Sequence, residues 1–464
     1  MLKKLPDTLI IVLTILLIFT ALTWIIPAGQ FERAEVNGRE LVVPGTYQEV
    51  ERNPQGFFDF LKAPIEGFIS ATQIIAFVLI VGGAFSIVTR SGAIDAGLKK
   101  IIDLSLQKPR YKKLMVALLI VLFSLAGATF GMSEEVLVFI LITLPLAFSL
   151  GYDSITGVAI PFIGAGAGFA GAFTNPFTIG IAQGIAELPP FSGWEYRIVV
   201  WAIFTTVAVL FILRYINQLE KSPGKSPVYE IDQQRDKKEL EISGEVNFNR
   251  RKKIILVAFA ISLALLVYGV NTWDWYINEI AALFLGLGIF TAIVARMSTG
   301  IAADAFVNGA KDMIYAGLVI ALSKGILVIA TEGKIIDTVL FYLSGWVDGF
   351  HQGVAVELMF FVQSFLNFFL PSGSGQAALT MPIMAPLSDL LEISRQTAVL
   401  AFQFGDGISN LVIPTSGVTM GVLGISKIPY QKWLGWIWPL MVVLILLAMV
   451  FLLLPVVAFT WGPF

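Results

Sequence analysis

Residues 370–391 read LPSGSGQAALTMPIMAPLSDLL, and residues 402–424 read FQFGDGISNLVIPTSGVTMGVLG. Both segments are as rich in Gly, Pro, Ser and Thr as a surface loop, yet apolar sequence flanks them on both sides. A bilayer tolerates irregular backbone only where protein or a water-filled cavity satisfies its N–H and C=O groups. The composition of these segments therefore indicates a solute-binding site at membrane depth.

The first half of the chain carries the same pattern. Residues 131–148 read GMSEEVLVFILITLPLAF, and residues 164–184 read GAGAGFAGAFTNPFTIGIAQG. An offset of 240–241 positions relates the two halves, so that Ser133 matches Ser374 and Asn175 matches Thr415. Matching interruptions in two halves are typical of the inverted repeats of secondary transporters, and they indicate where the solute binds.

The overall composition places the chain in a membrane. Of its 464 residues, 56% are hydrophobic and 14% are charged, and the mean hydropathy is +0.81. Many apolar runs are long enough to span a bilayer. The sequence contains no cysteine and one histidine, His351, which excludes disulfides, thiolate metal sites and histidine-based metal clusters. The sequence gives no sign of a basic surface that would bind nucleic acid, so no nucleic-acid partner is expected.

Basic residues predict the orientation of the chain. Lys3 and Lys4 precede the first apolar run, Thr8–Ile26, which favours a cytoplasmic N-terminus in the cell inner membrane. The sequence predicts an all-α polytopic membrane protein with about nine transmembrane helices and two re-entrant hairpins in two inverted repeats. The arms of the first hairpin are about 15 residues each, or on the order of 22 Å as α-helix, which is short for a span.

The predicted boundaries divide the chain into two repeats and a cytoplasmic linker. The first repeat is predicted to span residues 1–216. It contains the first hairpin at 114–150 and a broken helix at 154–186. The remaining parts are the linker at 217–253 and residues 254–464, which contain an extra crossing helix and the second repeat, with its hairpin at 354–391 and its broken helix at 397–424.

Together with TWIIPAG at residues 23–29, these motifs resemble the C4-dicarboxylate anaerobic carrier family of the ion transporter superfamily. More narrowly, they resemble its YfcC-type branch, which includes arginine–ornithine antiporters. The resemblance covers nearly the whole chain. It implies an elevator mechanism, in which a homodimeric scaffold stays fixed while a hairpin-bearing transport domain slides, with coupling to Na⁺ or H⁺ or with exchange. Dicarboxylate carriers of the superfamily are similar in having Ser-Asn-Thr at the hairpin tips, whereas the tips here read GMSEE at 131–135 and SGSGQ at 372–376.

Broken helices expose unpaired N–H groups at one end and unpaired C=O groups at the other, which attract anions and cations respectively. Hydroxyl and amide side chains at the breaks and tips would complete an oxygen-rich cage for Na⁺. The predicted coupling-ion residues are Ser133, Thr174, Asn175, Ser374, Asn410, Thr415 and Ser416, with Thr178, Ser372, Ser409 and Thr419 as further hydroxyls. The simpler alternative is that Ser133 and Ser374 are helix N-caps, and that Pro176 and Pro414 are kinks.

The substrate is predicted to meet both tips and both breaks. The predicted substrate-binding residues are Ser133, Glu134, Glu135, Asn175, Ser374, Gln376, Asp406, Asn410 and Thr415. Carboxylates at membrane depth are costly and indicate function, although Glu134 and Glu135 would also suit the first turn of a helix. Lys324 is the only cation in the middle of an apolar run, and is either a buried counter-ion or a side chain that reaches the interface.

Three carboxylates against one cation would repel a dicarboxylate in a site of low dielectric constant. The sequence therefore favours an amino acid as substrate, with basic amino acids such as arginine or ornithine as the first choice, over a C4-dicarboxylate. An ion channel, or an intramembrane hydrolase using Ser133 or Ser374 with Lys324, fits the duplicated hairpins less well. The expected protein is a secondary transporter rather than an enzyme. Its expected partners are a small-molecule substrate, the lipid bilayer and a second copy in a homodimer, with no cofactor except a coupling ion.

Overall fold

The computed structural model describes residues 8–36, 39–94, 96–97, 109–235, 249–273, 275–345, 350–459 and 461–462. Most of these residues are helical. The helices before the linker are α1 (Thr8–Ile25), α2 (Phe57–Ser70), α3 (Thr72–Arg90), α4 (Pro109–Phe130), α5 (Val136–Ser149), α6 (Ser154–Ala170), α7 (Ile181–Ile185), which follows a π-helical turn at Pro176–Gly180, and α8 (Trp194–Lys221).

The second half begins after residues 236–248, which lie outside the described part. The short α9 (Tyr229–Gln233) precedes them in the linker. The helices that follow are α10 (Arg250–Thr272), α11 (Ile277–Ala295), α12 (Thr299–Asp312), α13 (Ile314–Glu332), α14 (Ile336–Gly345), α15 (Gln352–Phe369), α16 (Gly373–Leu390), α17 (Arg395–Ser409), α18 (Gly417–Ile425) and α19 (Tyr430–Val457).

The described residues include seven helices that are long and apolar enough to cross a membrane, with α12 and α13 counted as one. The predicted class, a mostly helical multi-pass membrane protein, is confirmed. The count of nine crossings stays a prediction, and so does the orientation, because Lys3 and Lys4 lie outside the described residues.

Equivalent caps set the start of the broken helix in each half. Asp153 Oδ1 accepts a hydrogen bond from Thr156 N at 2.9 Å where α6 begins, and Ser394 Oγ accepts one from Thr397 N at 3.2 Å where α17 begins. Such a side chain satisfies one of the four backbone N–H groups that lack a helical partner. The two caps are 241 residues apart in the chain. The offset that relates the two halves in sequence therefore also relates the first residues of these two helices.

In two places a helix of one half packs against a helix of the other half. Helix α2 packs on α13, and its counterpart α12 packs on α3. A Cβ atom at Gly67 of α2 would lie 2.4 Å from the backbone nitrogen of Gly325, and a Cβ atom at Gly309 of α12 would lie 2.4 Å from the backbone oxygen of Gly82. Glycine at these positions therefore lets two backbones touch. The predicted inverted repeats would produce this kind of exchange.

The helices fall into two packed groups. The first group, which we name the frame, holds α1–α3 and α10–α13. The second, which we name the hairpin body, holds the hairpins α4–α5 and α15–α16, the broken helices α6–α7 and α17–α18, and the long helices α8 and α19. A major contact between frame and hairpin body is that of α13 with α18.

Three local features differ from the sequence-based expectation. The polar composition of residues 28–56 predicts a loop outside the membrane. In the structure they contain the short strands β1 (Gly29–Gln30), β2 (Arg33–Val36), β3 (Arg39–Val42) and β4 (Gln48–Glu49), in which β1 pairs with β4 and β2 with β3. Helices α2 and α12 were not predicted, because their polar and charged residues interrupt the apolar pattern. The first arm of hairpin one, α4, has 22 residues rather than about 15, since its basic first turn is helical as well.

Candidate functional site

The two hairpin tips turn in different ways. Hairpin one reverses over residues 131–135, between α4 and α5, and Gly131 has a φ of +74°. A Cβ atom there would lie 2.5 Å from Asn175 Oδ1, so both the backbone angle and the close contact require glycine. Hairpin two reverses over residues 370–372, and α16 begins at Gly373. Ser374 and Gln376 are therefore in the first turn of a helix rather than in a loop.

The simpler alternative for the serines and prolines is wrong. Ser372, not Ser374, caps α16, since its hydroxyl accepts a hydrogen bond from Gly375 N at 3.3 Å. The N-cap position of α5 is Glu135, not Ser133. Pro176 opens the π-helical turn and Pro414 lies between α17 and α18, so neither proline kinks a continuous helix. In both halves the segment at the proline separates two helices.

The tips and the breaks surround one cavity of about 170 Å³. Eight of the predicted residues line it: Ser133, Glu134, Glu135, Ser374, Asn410 and Ser416, with the further hydroxyls of Thr178 and Ser372. The opposite wall comes from the frame, through Ile74 of α3 and through Ile320 and Lys324 of α13. The cavity therefore lies between the hairpin body and the frame.

Charge is distributed unevenly around this cavity. Glu134 and Glu135 enter it from hairpin one, and Glu135 Oε2 accepts a hydrogen bond from Ser133 N at 3.1 Å. Lys324 reaches it from the frame. The tip of hairpin two contributes Ser372 and Ser374 but no charge. The cavity thus has an acidic side, a cation opposite, and a neutral side that ends in a helix N-terminus.

Asp406 lies one layer behind the cavity wall. Its side chain is fully buried, and its Oδ1 accepts a hydrogen bond from Asn410 Nδ2 at 2.8 Å. Its Oδ2 has no partner among the described residues and faces Gly373, where a Cβ atom would lie 2.9 Å away. The methyl group of Thr178 faces the same glycine, and the buried Thr178 hydroxyl also lacks a described partner. Side chains from both halves, each with one buried oxygen that lacks a described partner, therefore border the tip of hairpin two.

The remaining predicted residues do not line the cavity. Thr174 Oγ1 donates to Thr129 O at 3.3 Å, and Asn175 Oδ1 accepts from Phe177 N at 2.9 Å. Thr415 is buried and its hydroxyl has no partner among the described residues. Gln376 Nε2 donates to the backbone and side-chain oxygens of Gln363, at 2.9 and 2.7 Å, and so joins the two arms of hairpin two.

Sequence reasoning missed two groups near the cavity. Tyr276, just before α11, lines it, and its ring lies 5.0 Å from that of Phe177. Aromatic residues are common at membrane interfaces, so the sequence carries no separate signal for Tyr276. Asn367 of α15 donates to Asp406 O at 3.1 Å and to Ser409 Oγ at 2.7 Å. Only its position inside an apolar helix could have singled it out.

The chain is similar to known proteins over most of its length. The model of the C4-dicarboxylate anaerobic carrier family matches residues 5–457. The Escherichia coli (strain K12) protein named "Putative basic amino acid antiporter YfcC" is 35% identical over an alignment that is 468 positions long, gaps included, and covers 92% of each chain. An uncharacterized protein of Haemophilus influenzae is 28% identical over an alignment that is 497 positions long, gaps included, and covers 97% of each chain.

Two solved structures are more distant. The Alcanivorax borkumensis YdaH transporter is 15% identical, with a TM-score of 0.44, and the match covers 99% of this chain and 100% of that one. Neisseria gonorrhoeae MtrF, of a class of antimetabolite efflux pumps, is 16% identical with a TM-score of 0.43, and the match covers 99% and 97%. The match to the family model over residues 5–457, together with the relative that is 35% identical, shows that this chain belongs to the C4-dicarboxylate anaerobic carrier family and is a membrane transporter rather than an enzyme.

Proposed function

We propose that this protein is a secondary active transporter of an amino acid, with basic amino acids such as arginine and ornithine as the first choice. The observation that carries the proposal is the charge of the cavity, where Glu134 and Glu135 face a single cation, Lys324. Asp406 adds a third carboxylate behind the wall. Such a site attracts an amine and repels a second carboxylate. The name of the Escherichia coli relative supports the same substrate class.

The neutral side of the cavity suits the carboxylate of an amino acid. The N-termini of two helices reach it, at Ser372–Ser374 for α16 and at Ser416–Val418 for α18. Helix N-termini present free N–H groups and a positive dipole end, and both favour a carboxylate. The α-carboxylate would meet these helix ends while the α-amine faces one of the two acids, Glu134 and Glu135. The other acid would then pair with a cationic side chain.

A C4-dicarboxylate is the alternative substrate, and the family description favours it. Two helix N-termini and Lys324 could hold two carboxylates if Glu134 and Glu135 were protonated. A thermal-shift screen of the purified protein separates the two classes. We expect arginine or ornithine to raise the Tm and succinate and fumarate to leave it unchanged. Stabilisation by succinate or fumarate, but by no amino acid, would establish the dicarboxylate carrier instead.

The coupling ion is proposed to bind at the breaks, close to the substrate. Four of the predicted coupling-ion residues line the cavity, namely Ser133, Ser374, Asn410 and Ser416, and Asn410 also donates to Asp406 Oδ1 at 2.8 Å. Thr174, Asn175 and Thr415 belong to the same proposal as residues of the two breaks. The Asp406 carboxylate has one oxygen without a described partner, which suits Na⁺, and the same carboxylate could carry H⁺. Uptake into proteoliposomes under an imposed Na⁺ or H⁺ gradient distinguishes these ions, and a requirement for substrate inside the vesicles indicates exchange.

The mechanism is proposed to be an elevator, in a homodimer whose N-termini are cytoplasmic. Its support is the contact between α18 of the hairpin body and α13 of the frame, where the glycines of α18 face Ile320 and Tyr315. Small residues leave a smooth helix surface on which the neighbour can move. Cross-linking across this contact should trap the hairpin body and stop transport. Full transport by the cross-linked protein would contradict the elevator.

A further inference from the structure

Arg197, in the first turn of α8, is fully buried. Its Nε and Nη1 have no hydrogen-bond partner among the described residues. Its Nη2 donates to Gln396 Oε1 at 3.4 Å, a long hydrogen bond, and the Trp461 ring lies 5.1 Å from the guanidinium carbon. A buried charge is costly unless it is paired, and a cation–π contact replaces only part of the lost hydration.

The neighbouring Arg395 shows the usual solution. Its guanidinium donates to Asp389 Oδ2 at 2.7 Å and to Glu187 Oε2 at 3.1 Å. Both carboxylates are thus already engaged by Arg395, and Arg197 has no carboxylate partner in the described part of the chain. Arg197 is therefore the member of this region whose positive charge needs a compensating group.

The groups around Arg197 form a buried polar cluster. Gln396 and Gln183 are fully buried and joined by a hydrogen bond of 3.1 Å. Ser192 accepts a hydrogen bond from Gln396 Nε2 at 2.6 Å. Gln396 is the second residue of α17, where backbone N–H groups lack helical partners and the dipole is positive. One acceptor, Gln183 Oε1, is also without a described partner. Donors and positive charge dominate, which is the arrangement that binds an anion.

We propose that Arg197 and the N-terminus of α17 form a binding site for a small inorganic anion, with chloride as the cellular ligand. Trp461 and the backbone of Gly462, which packs on Gln396, close the site from the C-terminal segment. Such closure favours a monatomic ion over an organic acid. The anion would join α7, α8 and α17, and thereby hold the two broken helices together at their ends remote from the substrate cavity.

Thermal unfolding of the purified protein tests the site. At equal ionic strength, replacing sodium gluconate by sodium chloride should raise the Tm saturably, by at least about 2 °C. Arg197→Gln should lose this increment, because the guanidinium that holds the anion is gone. Arg214→Gln, on the exposed face of the same helix, should keep it. An increment retained in Arg197→Gln, or absent from the unsubstituted protein, would overturn the proposal.

The location of the ion is tested separately, without any variant. Crystals of the unsubstituted protein grown in sodium bromide should show an anomalous scattering peak against the Arg197 guanidinium. This measurement decides the question even if Arg197→Gln fails to fold. A water molecule between Arg197 and Gln183 in place of bromide, or a bromide peak only in the substrate cavity, would contradict the proposal.

Discussion

The two hairpins are equivalent elements, but their tips bring groups of different charge to the cavity. Hairpin one ends in a five-residue turn that brings Glu134 and Glu135 into the cavity, and hairpin two ends in a three-residue turn that brings a helix N-terminus and hydroxyls. The helix order recurs, but the electrostatics are divided between the halves. A solute with a positive and a negative end can use both tips at once, whereas a symmetric dianion cannot. The difference between the tips therefore predicts the substrate class better than their similarity does.

The largest effect is expected from removing the charge of hairpin one. Glu134→Gln together with Glu135→Gln should weaken binding of arginine or ornithine by about 100-fold or more, since a charged amine loses its partner in a poorly hydrated site. Isothermal titration of the purified variant measures this loss. Glu66→Gln, an exposed carboxylate on α2, is the matched control. Unchanged arginine binding in the double variant would remove the proposed division between the tips.

The second largest effect concerns Asp406, which has no acidic counterpart because the equivalent residue of the first half is Ala165. Asp406→Asn keeps the acceptor that Asn410 uses and removes the charge. We expect transport to fall at least about tenfold and to lose its dependence on the coupling-ion gradient, while the Tm changes little. Gradient-driven uptake into proteoliposomes checks this. Uptake that still follows the same gradient would show that the ion binds elsewhere.

A third experiment compares matched glycines of the two broken helices, Gly424 and Gly184. A Cβ atom at Gly424 would lie 2.7 Å from the Tyr315 ring of the frame, whereas no atom lies within 4 Å of one at Gly184. Gly424→Ala should slow transport several-fold with substrate affinity retained, because the hairpin body must move past Tyr315. Gly184→Ala should transport normally. Equal rates for the two variants would argue against sliding at this contact.

The smallest effect is expected from cysteine labelling, which leaves function intact and tests the inversion of the halves. Ser226, an obvious position in the linker, is buried and donates to Asp153 Oδ2 at 2.7 Å, so the exposed Lys225 is the better site. Glu35→Cys should react with an impermeant reagent from outside the cell, and Lys225→Cys only from inside. Labelling of both from one side would contradict the predicted topology.

The linker contains contacts that local sequence composition does not predict. Its polar composition predicts a cytoplasmic linker over residues 217–253. The structure instead continues α8 to Lys221, and Asp232 Oδ2 accepts a hydrogen bond from Ser154 N at 2.9 Å, at the start of α6. Arg235 Nε donates to Asp232 Oδ1 at 2.7 Å. Polar residues that look solvated in the sequence are used to cap a helix far away in the chain, and composition alone cannot show such a contact.

The sequence by itself determined the class, the family and the position of the irregular segments. These properties depend on local physics: apolar runs span a bilayer, and glycine and proline interrupt helices only where the broken backbone can be satisfied. Residue spacing also predicts the repeat, because equivalent caps and breaks are separated by the same number of residues in both halves. For the same reason the acidic residues of hairpin one could be proposed as functional from their position alone.

Only the tertiary structure decided which of these groups meet. Gln376 and Ser374 are two residues apart on α16, yet Gln376 turns inward to Gln363 and Ser374 lines the cavity. Asp406 lies behind Gly373, and Arg197 lies among residues that are far from it in the chain. Burial and pairing of a charge depend on contacts between distant segments, and a sequence pattern records only the spacing within one segment. The physical reason is that free energies of charges are set by their surroundings in space rather than by their neighbours along the chain.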